Sequence, residues 1–196
     1  GANPFNPVAV AVAILMLSWQ RQMDFDIALV NFPFDFPALY PLSAVKAFGT
    51  QAIQHISMAD LLLGRQIGGI GTTFGLGLIF GGVYLMRRGV IRWEISVSFL
   101  AGVAVTAFLF NLAHPAKYAP AGFHLLTGFT LIGAFFLATE DSSSPVNFIP
   151  MLIYGAVGGI ITVLIRNIGA FPDGVVYAVL VINLIQVWSR RRIGYV

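Results

Sequence analysis

The sequence contains no cysteine, and only 10% of its residues are charged. The absence of cysteine excludes disulfides, thiolate-ligated zinc and cysteine-held iron–sulfur clusters on this chain. A soluble domain carries about 25% charged residues, because charged side chains cover the surface that faces water. The shortage of charge, combined with a hydrophobic fraction of 58%, therefore predicts a protein whose surface faces the lipid bilayer.

The positions of the basic residues and the sequence of the N-terminal segment exclude two further interpretations. The formal net charge is +3, but the basic residues lie at the ends of apolar runs and form no stripe interleaved with aromatics, so no nucleic-acid partner is expected. Residues 1–7 show neither a charged n-region nor a cleavage site, so they predict no signal peptide. Because the first residue is Gly1 and not Met, we expect a fragment of a longer chain that lacks its N-terminal part.

Six apolar runs organise the sequence. A helix needs about 20 residues to cross the hydrocarbon core, with a range of about 17–25. The runs at residues 95–112, 123–139 and 148–165 have that length, whereas those at 8–19, 72–86 and 175–188 are shorter. The fold class predicted is all-α, a polytopic transmembrane bundle of about six helices in which the short runs are broken, re-entrant or extended by their flanks.

The segment 20–71 is the least hydrophobic part of the sequence. Its prolines (Pro33, Pro37 and Pro41) predict an irregular loop, with short helices at residues 43–48 and 56–63. Three glycines at its end, Gly68, Gly69 and Gly71, predict backbone that is not regular helix. We interpret residues 1–196 as a single transmembrane domain that contains this loop.

Arginine clusters orient the predicted bundle. Arg87, Arg88 and Arg92 follow the second run, and three arginines at 190–192 follow the sixth. An even number of crossings separates the clusters, so both lie on one side, which the positive-inside rule makes cytoplasmic. Both ends of the chain are then cytoplasmic, and the 20–71 loop is non-cytoplasmic.

Helix ends supply two of the polar positions of interest. Asn6 precedes the first run and can cap it, or it can mark a helix end whose free N–H groups face a ligand phosphate or a polar cavity. Asp173 precedes the sixth run and is predicted to cap it, because a carboxylate complements the positive end of the helix dipole.

Two further polar positions lie within or beside the runs. Asn183 and Gln186 lie inside the sixth run, where an amide bonds a neighbouring helix or lines a ligand or ion pathway. His124 begins the fourth run, where it could bond a ligand or line a polar path. His114 and His124 are ten residues apart with no carboxylate near them, so no metal site is predicted. No catalytic set with hydrolase spacing is present.

Motifs along nearly the whole sequence resemble one family. It contains the D protein of the Rnf electron-transport complex and the B protein of the sodium-translocating NADH:quinone reductase, and the resemblance is closest to the Rnf member. The matching motifs are Asn3-Pro-Phe-Asn-Pro7, Gly81-Gly-Val-Tyr-Leu85, Ile91-Arg-Trp93, His124-Leu-Leu-Thr-Gly128, Gly133-Ala-Phe-Phe136, Ser144-Pro145, Leu164-Ile-Arg166 and Phe171-Pro-Asp-Gly174. The family's earlier helices are missing, which agrees with the fragment interpretation.

The resemblance implies a role in respiratory electron transport. Such a protein works with other membrane subunits of its complex, in the cytoplasmic membrane of a bacterium or archaeon. The complex couples electron flow between NADH, ferredoxin or quinone to translocation of Na⁺ or H⁺. The cofactor implied is FMN or riboflavin, with FMN attached to a Thr in a Ser-x-Ala-Thr-Pro-Leu type of motif.

The sequence departs from that motif at the attachment point. Pro41 and Leu42 match, but Tyr40 occupies the position of the Thr. A phenol has a different reach and different leaving-group chemistry, so covalent FMN is not expected at Tyr40. Ser43 is the nearest aliphatic hydroxyl that could substitute.

Two other functions are compatible with the sequence. The glycine-rich and short helices also suit a transporter or channel for a small solute, built around a site at the membrane midplane. The lost Thr also suits a structural membrane subunit that carries no flavin.

Overall fold

The computed structural model describes residues 3–23 and 39–193, with side chains to residue 187. Within those ranges the structure is helical. Its elements are α1 (Pro7–Ser18), α2 (Pro41–Phe48), a 3₁₀ turn (Gly49–Ile53), α3 (Met58–Leu63), α4 (Gly75–Arg87), α5 (Trp93–Ala113), α6 (Ala121–Leu126), α7 (Thr130–Ile132), a π turn (Gly133–Leu137), α8 (Phe148–Asn167) and α9 (Val175–Ile193). Pro33, Pro37 and the side chains of the arginines at 190–192 lie outside what is described.

Helix α1 is short, and local residues determine where it begins. Pro7 occupies its first turn, and the Asn6 side chain accepts hydrogen bonds from the N–H groups of Val8 and Ala9 at 2.9 and 3.0 Å. The helix has 12 residues and is therefore roughly 18 Å long. It is shorter than a straight crossing of the ~30 Å hydrocarbon core requires, so a crossing at this run must include its flanking residues.

Helices α5 and α8 are long and apolar enough to cross a membrane, and they pack closely. Gly155 of α8 lies against Ser98 of α5, and Gly159 lies against Val103, so the two helices run in the same direction. A Cβ at Gly159 would lie 2.7 Å from the Val103 backbone nitrogen, so glycine is required there. Small residues four apart are the usual way in which membrane helices approach closely.

The fourth apolar run does not form one helix. It was expected to be a full-length span over 123–139, but the chain leaves helical geometry at Thr127 and resumes at Thr130. The second half then widens into the π turn. The expectation fails because Gly128 adopts a φ of +63°, and because charged side chains bond the backbone groups that the break exposes.

The short helices of the 20–71 loop are confirmed where the structure describes it. They begin at Pro41 and Met58 and pack over Phe123 at one end of the bundle, in a second core cluster. Residues 67–74 are not helical, which confirms the prediction made from the glycines.

The main core lies between α1, α5, the broken helix, α8 and α9. Helix α9 extends to Ile193, five residues beyond the end of the predicted run. On the outside of the bundle, large apolar side chains such as Phe80, Phe108 and Ile149 are more than half exposed. An apolar exterior of this kind suits a surface that is covered by lipid or by other protein.

Candidate functional site

A buried ion pair lies at the break in the fourth run. Arg166 lies in the last turn of α8, and its Nη2 lies 2.9 Å from Oδ1 of Asp173, which follows seven residues later. The two side chains are 1% and 5% exposed. Buried charges require both a partner and satisfied hydrogen bonds, and the neighbouring backbone supplies those bonds.

Each charge bonds the end of one half of the broken helix. Arg166 donates to the carbonyl oxygens of His124 and Thr127, at 2.9 and 3.2 Å, where the first half ends. Asp173 Oδ2 accepts a hydrogen bond from the N–H of Phe129 at 2.7 Å, where the second half begins. The cation thus meets the negative end of one helix dipole, and the anion meets the positive end of the next.

Asp173 also bonds the start of α9. Its Oδ1 accepts from the Val175 N–H at 3.2 Å, which is the capping role predicted from the sequence. The partnership with Arg166 was missed. One signal was present, because these two are the charged residues of the stretch 166–174, in a surrounding sequence that is almost entirely apolar.

The pair leaves no room for a side chain at the break. A Cβ at Gly128 would lie 2.7 Å from Leu42 Cδ1 and 2.9 Å from Arg166 Nη2, and closer still to Asp173 Oδ2. Glycine is therefore required at this position by its positive φ and by the close approach of the ion pair.

A cavity of about 120 Å³ lies beside Asp173, which forms part of its lining. It brings together the two hydroxyl residues at the family's flavin position, because Tyr40 and Ser43 both line it. The Tyr40 ring is buried and its hydroxyl lies 3.5 Å from Asp173 Oδ2. The remaining lining residues are Met16, Gln20, Met23, Phe129, Phe171 and Pro172.

A second buried polar cluster joins helices that are distant in sequence. The Asn183 side-chain oxygen accepts from the backbone N–H of Asn6 at 2.9 Å, and its amide nitrogen lies 2.6 Å from the Tyr154 hydroxyl. The Asn6 amide donates to the Leu137 carbonyl at 2.8 Å, at the end of the π turn. These contacts link the start of α1 to the broken helix, α8 and α9.

The structure thus separates the predicted polar residues into two groups. Tyr40, Ser43 and Asp173 lie together at the cavity. Asn183 lies roughly 12 Å from the start of α9, from the helical rise over the eight residues after Val175, and Asn6 lies beside it. His124 belongs to the first group through its carbonyl oxygen, which accepts a hydrogen bond from Arg166. The residue is only 1% exposed, and its side chain does not line the cavity. Among the described residues no three acidic or histidine side chains converge on a metal position.

Comparison with known proteins gives one consistent family. The profile of the NQR2, RnfD, RnfE family matches residues 1–188. Relatives from three bacteria carry the same name, which is that of the D protein of the ion-translocating oxidoreductase complex. The chain is 32% identical to the one from Pectobacterium carotovorum subsp. carotovorum (strain PC1), over 94% of this chain and 62% of that protein. It is 33% identical to the one from Vibrio cholerae serotype O1 (strain ATCC 39541), with the same coverage. For Halorhodospira halophila (strain DSM 244 / SL1) the identity is 40%, over 67% of this chain and 38% of that protein. The chain thus spans less than two thirds of the length of these relatives.

Proposed function

The chain belongs to the NQR2, RnfD, RnfE family, and we propose that it forms part of the membrane core of an Rnf-type, ion-translocating electron-transport complex. The observation that carries this proposal is the family match over residues 1–188, joined by relatives named as members of such a complex. In this role the chain couples electron flow between ferredoxin, NADH or quinone to the movement of Na⁺ or H⁺.

The proposal includes a membrane topology. The six apolar runs cross the cytoplasmic membrane as one domain over residues 1–196, with both ends of the chain cytoplasmic and with the 20–71 loop on the opposite side. The parallel packing of α5 and α8 supports it, because the chain between two parallel helices must cross back once. The broken helix is the element that provides this crossing. Other subunits of the complex cover part of the apolar exterior.

The flavin of the family is assigned no covalent site at Tyr40. The Tyr40 side chain is part of the second core cluster, and its hydroxyl faces the Asp173 carboxylate, whose negative charge opposes a phosphate ester. The adjoining cavity of about 120 Å³ is also smaller than the roughly 300–1,000 Å³ of pockets that enclose drug-sized ligands. The residues present therefore do not fit a tethered FMN at this position, and Ser43 shares the same carboxylate-lined cavity.

Ion transport driven by electrons is the direct test. The whole complex is purified, reconstituted into liposomes and supplied with reduced ferredoxin or NADH together with an electron acceptor. We expect Na⁺ or H⁺ uptake that requires the electron donor and that is lost in a complex assembled without this protein. Uptake of a solute without any electron donor would contradict the proposal and would favour a transporter.

A further inference from the structure

The turn between α4 and α5 concentrates basic side chains at one end of the bundle. Arg87 ends α4, Arg88 follows it, and Arg92 precedes the first residue of α5. The turn is compact, because the backbone N–H groups of Arg88 and Val90 donate to carbonyl oxygens of α4, each at 3.0 Å, and Gly89 adopts a φ of +69°. Three guanidinium groups are therefore confined to the short stretch 87–92.

The three arginines have no carboxylate to neutralise them. They are exposed, and the ion pairs of the described residues join Arg65 to Asp60 and Arg166 to Asp173. Glu94 is the one acidic residue of the stretch 84–94. It is partly buried, and one of its carboxylate oxygens is inaccessible. The turn therefore presents a net positive charge to its surroundings.

Exposed apolar and aromatic side chains flank the arginines. Tyr84 on α4, Val90 in the turn and Trp93 at the start of α5 are 56%, 62% and 50% exposed. The ring centroids of Trp93 and Phe148 are 6.4 Å apart, so the two helices that are long enough to cross a membrane begin at the same level. Trp and Tyr at such helix ends are typical of the boundary between hydrocarbon and headgroups. The arginines that adjoin them therefore lie at the level of the lipid phosphates.

The start of α5 adds hydrogen-bond donors at this level. No side chain caps the helix at Arg92, and the positive end of a helix dipole attracts anions. A guanidinium binds a phosphate through two parallel N–H···O bonds. Arginines alone would attract any anion, and exposed apolar side chains alone would accept any lipid. Their combination in one turn fits a ligand that joins a negative headgroup to apolar chains.

We propose that the α4–α5 turn binds an anionic phospholipid, with the phosphate at Arg87, Arg88 and Arg92 and the acyl chains beside Tyr84 and Trp93. Each arginine next to a membrane helix strengthens the attraction of anionic lipid about fivefold. The inference rests on the proposed function only through the placement of α4 and α5 in a membrane. The bound lipid would fix the turn, and with it the starts of α5 and α8, at the membrane surface.

Photolabelling of the purified complex tests this proposal. Phosphatidylglycerol that carries a photoreactive group near its headgroup is added in a neutral detergent, and the labelled peptides are identified by mass spectrometry. We expect saturable labelling of the peptide that contains residues 84–94. Unlabelled phosphatidylglycerol should displace the label, whereas phosphatidylcholine and inorganic phosphate should not.

Variants separate the charge of the turn from its folding. Arg87→Gln, Arg88→Gln and Arg92→Gln should each weaken labelling about fivefold, and the triple variant should lose it. Replacing all three with Lys keeps the charge and should keep most of the labelling. Arg65→Gln, which removes an exposed cation that has an acidic partner, should leave labelling intact. The single variants give the answer if the triple variant does not assemble.

Three results would overturn the proposal. One is a native complex whose 84–94 peptide takes up no label, as expected if an acidic protein surface covers the arginines. The others are displacement of the label by phosphatidylcholine or inorganic phosphate, and undiminished labelling in all of the Gln variants. Because no electron donor is present, a failure of electron-driven ion uptake would produce none of these results.

Discussion

Arg166 Nη2 and Asp173 Oδ1 lie 2.9 Å apart at the point inside the fourth apolar run where the backbone leaves the helix. The relationship explains how a break can exist inside an apolar bundle. Non-helical backbone at membrane depth is tolerated only where protein satisfies its polar groups. Here one cation bonds the exposed carbonyls and one anion bonds an exposed N–H, while each neutralises the other.

Replacing Asp173 with Asn tests whether the pair holds the break. The substitution preserves shape but leaves the Arg166 guanidinium buried without a counter-charge, and breaking a buried pair costs about 3–5 kcal/mol. We expect a loss of that size in SDS-driven unfolding in mixed micelles, and the same direction of change for Asp173→Ala. A variant that assembles with native stability but transfers no electrons would show instead that Asp173 acts in the chemistry.

The surface pair between Asp60 and Arg65 is a matched control. Its atoms are 3.6 Å apart, and the side chains are 32% and 65% exposed. Exposed pairs contribute roughly 0–1 kcal/mol, so Asp60→Asn should change stability far less than Asp173→Asn does.

The sequence predicts the parts of this arrangement that depend on neighbouring residues. Pro7 and Asn6 indicate the start of α1, and the glycines at 68–71 indicate irregular backbone, because caps and backbone freedom act within a few residues. Asp173 was predicted as a cap for the same reason.

The long-range contacts were not predictable in this way. The run 123–139 contains glycines, but glycine alone does not decide between a helix and a break. The break depends on Arg166 and Asp173, about 40 residues away. The hydrogen bond from the Asn6 backbone N–H to the Asn183 side-chain oxygen spans 177 residues. Hydrophobic periodicity contains no information about which polar residues meet across a bundle.

Gly128→Ala tests the close approach at the break. Gly128 and Gly89 both have positive φ, at +63° and +69°, but a Cβ at Gly89 would meet nothing within 4 Å. Gly89→Ala should therefore show only the backbone cost of about 1–2 kcal/mol. Gly128→Ala should cost several kcal/mol more, because the methyl group must displace Asp173 or Leu42. Equal melting temperatures for the two variants would contradict the packing described.

Asn183→Leu tests the second polar cluster. The change removes the acceptor of the Asn6 N–H and a partner of Tyr154, and an unpaired buried group costs about 1–3 kcal/mol. We expect destabilisation in that range in SDS-driven unfolding. Gln186→Leu, three residues later and only half-buried, should be close to neutral. If both variants are neutral, the amide contact is not required for the packing of α1.

The loop after the broken helix should respond to acid through Glu140. Burial raises the pKa of this carboxyl, but hydrogen bonds from Ser142 and Ser143 outweigh burial and hold the pKa below its usual range. A depressed pKa in the folded state means that the ionised form stabilises the loop at neutral pH, and that this stabilisation is lost as pH falls through the folded pKa. The difference in melting temperature between native protein and Glu140→Gln should therefore shrink below about pH 4. A difference that is independent of pH would contradict this account.

Tyr40 is predicted to be a packing residue and not a flavin carrier. Its ring is buried, so Tyr40→Phe, which keeps the ring and removes only the hydroxyl, should cost about 0.5–1.5 kcal/mol. Tyr40→Ala should cost about 3–5 kcal/mol, since it empties a buried aromatic site. When the native protein is expressed with a flavin transferase and denatured, its gel band should show no flavin fluorescence. A fluorescent band that Tyr40→Phe removes would make Tyr40 the attachment point, and one that only Ser43→Ala removes would place the attachment at Ser43.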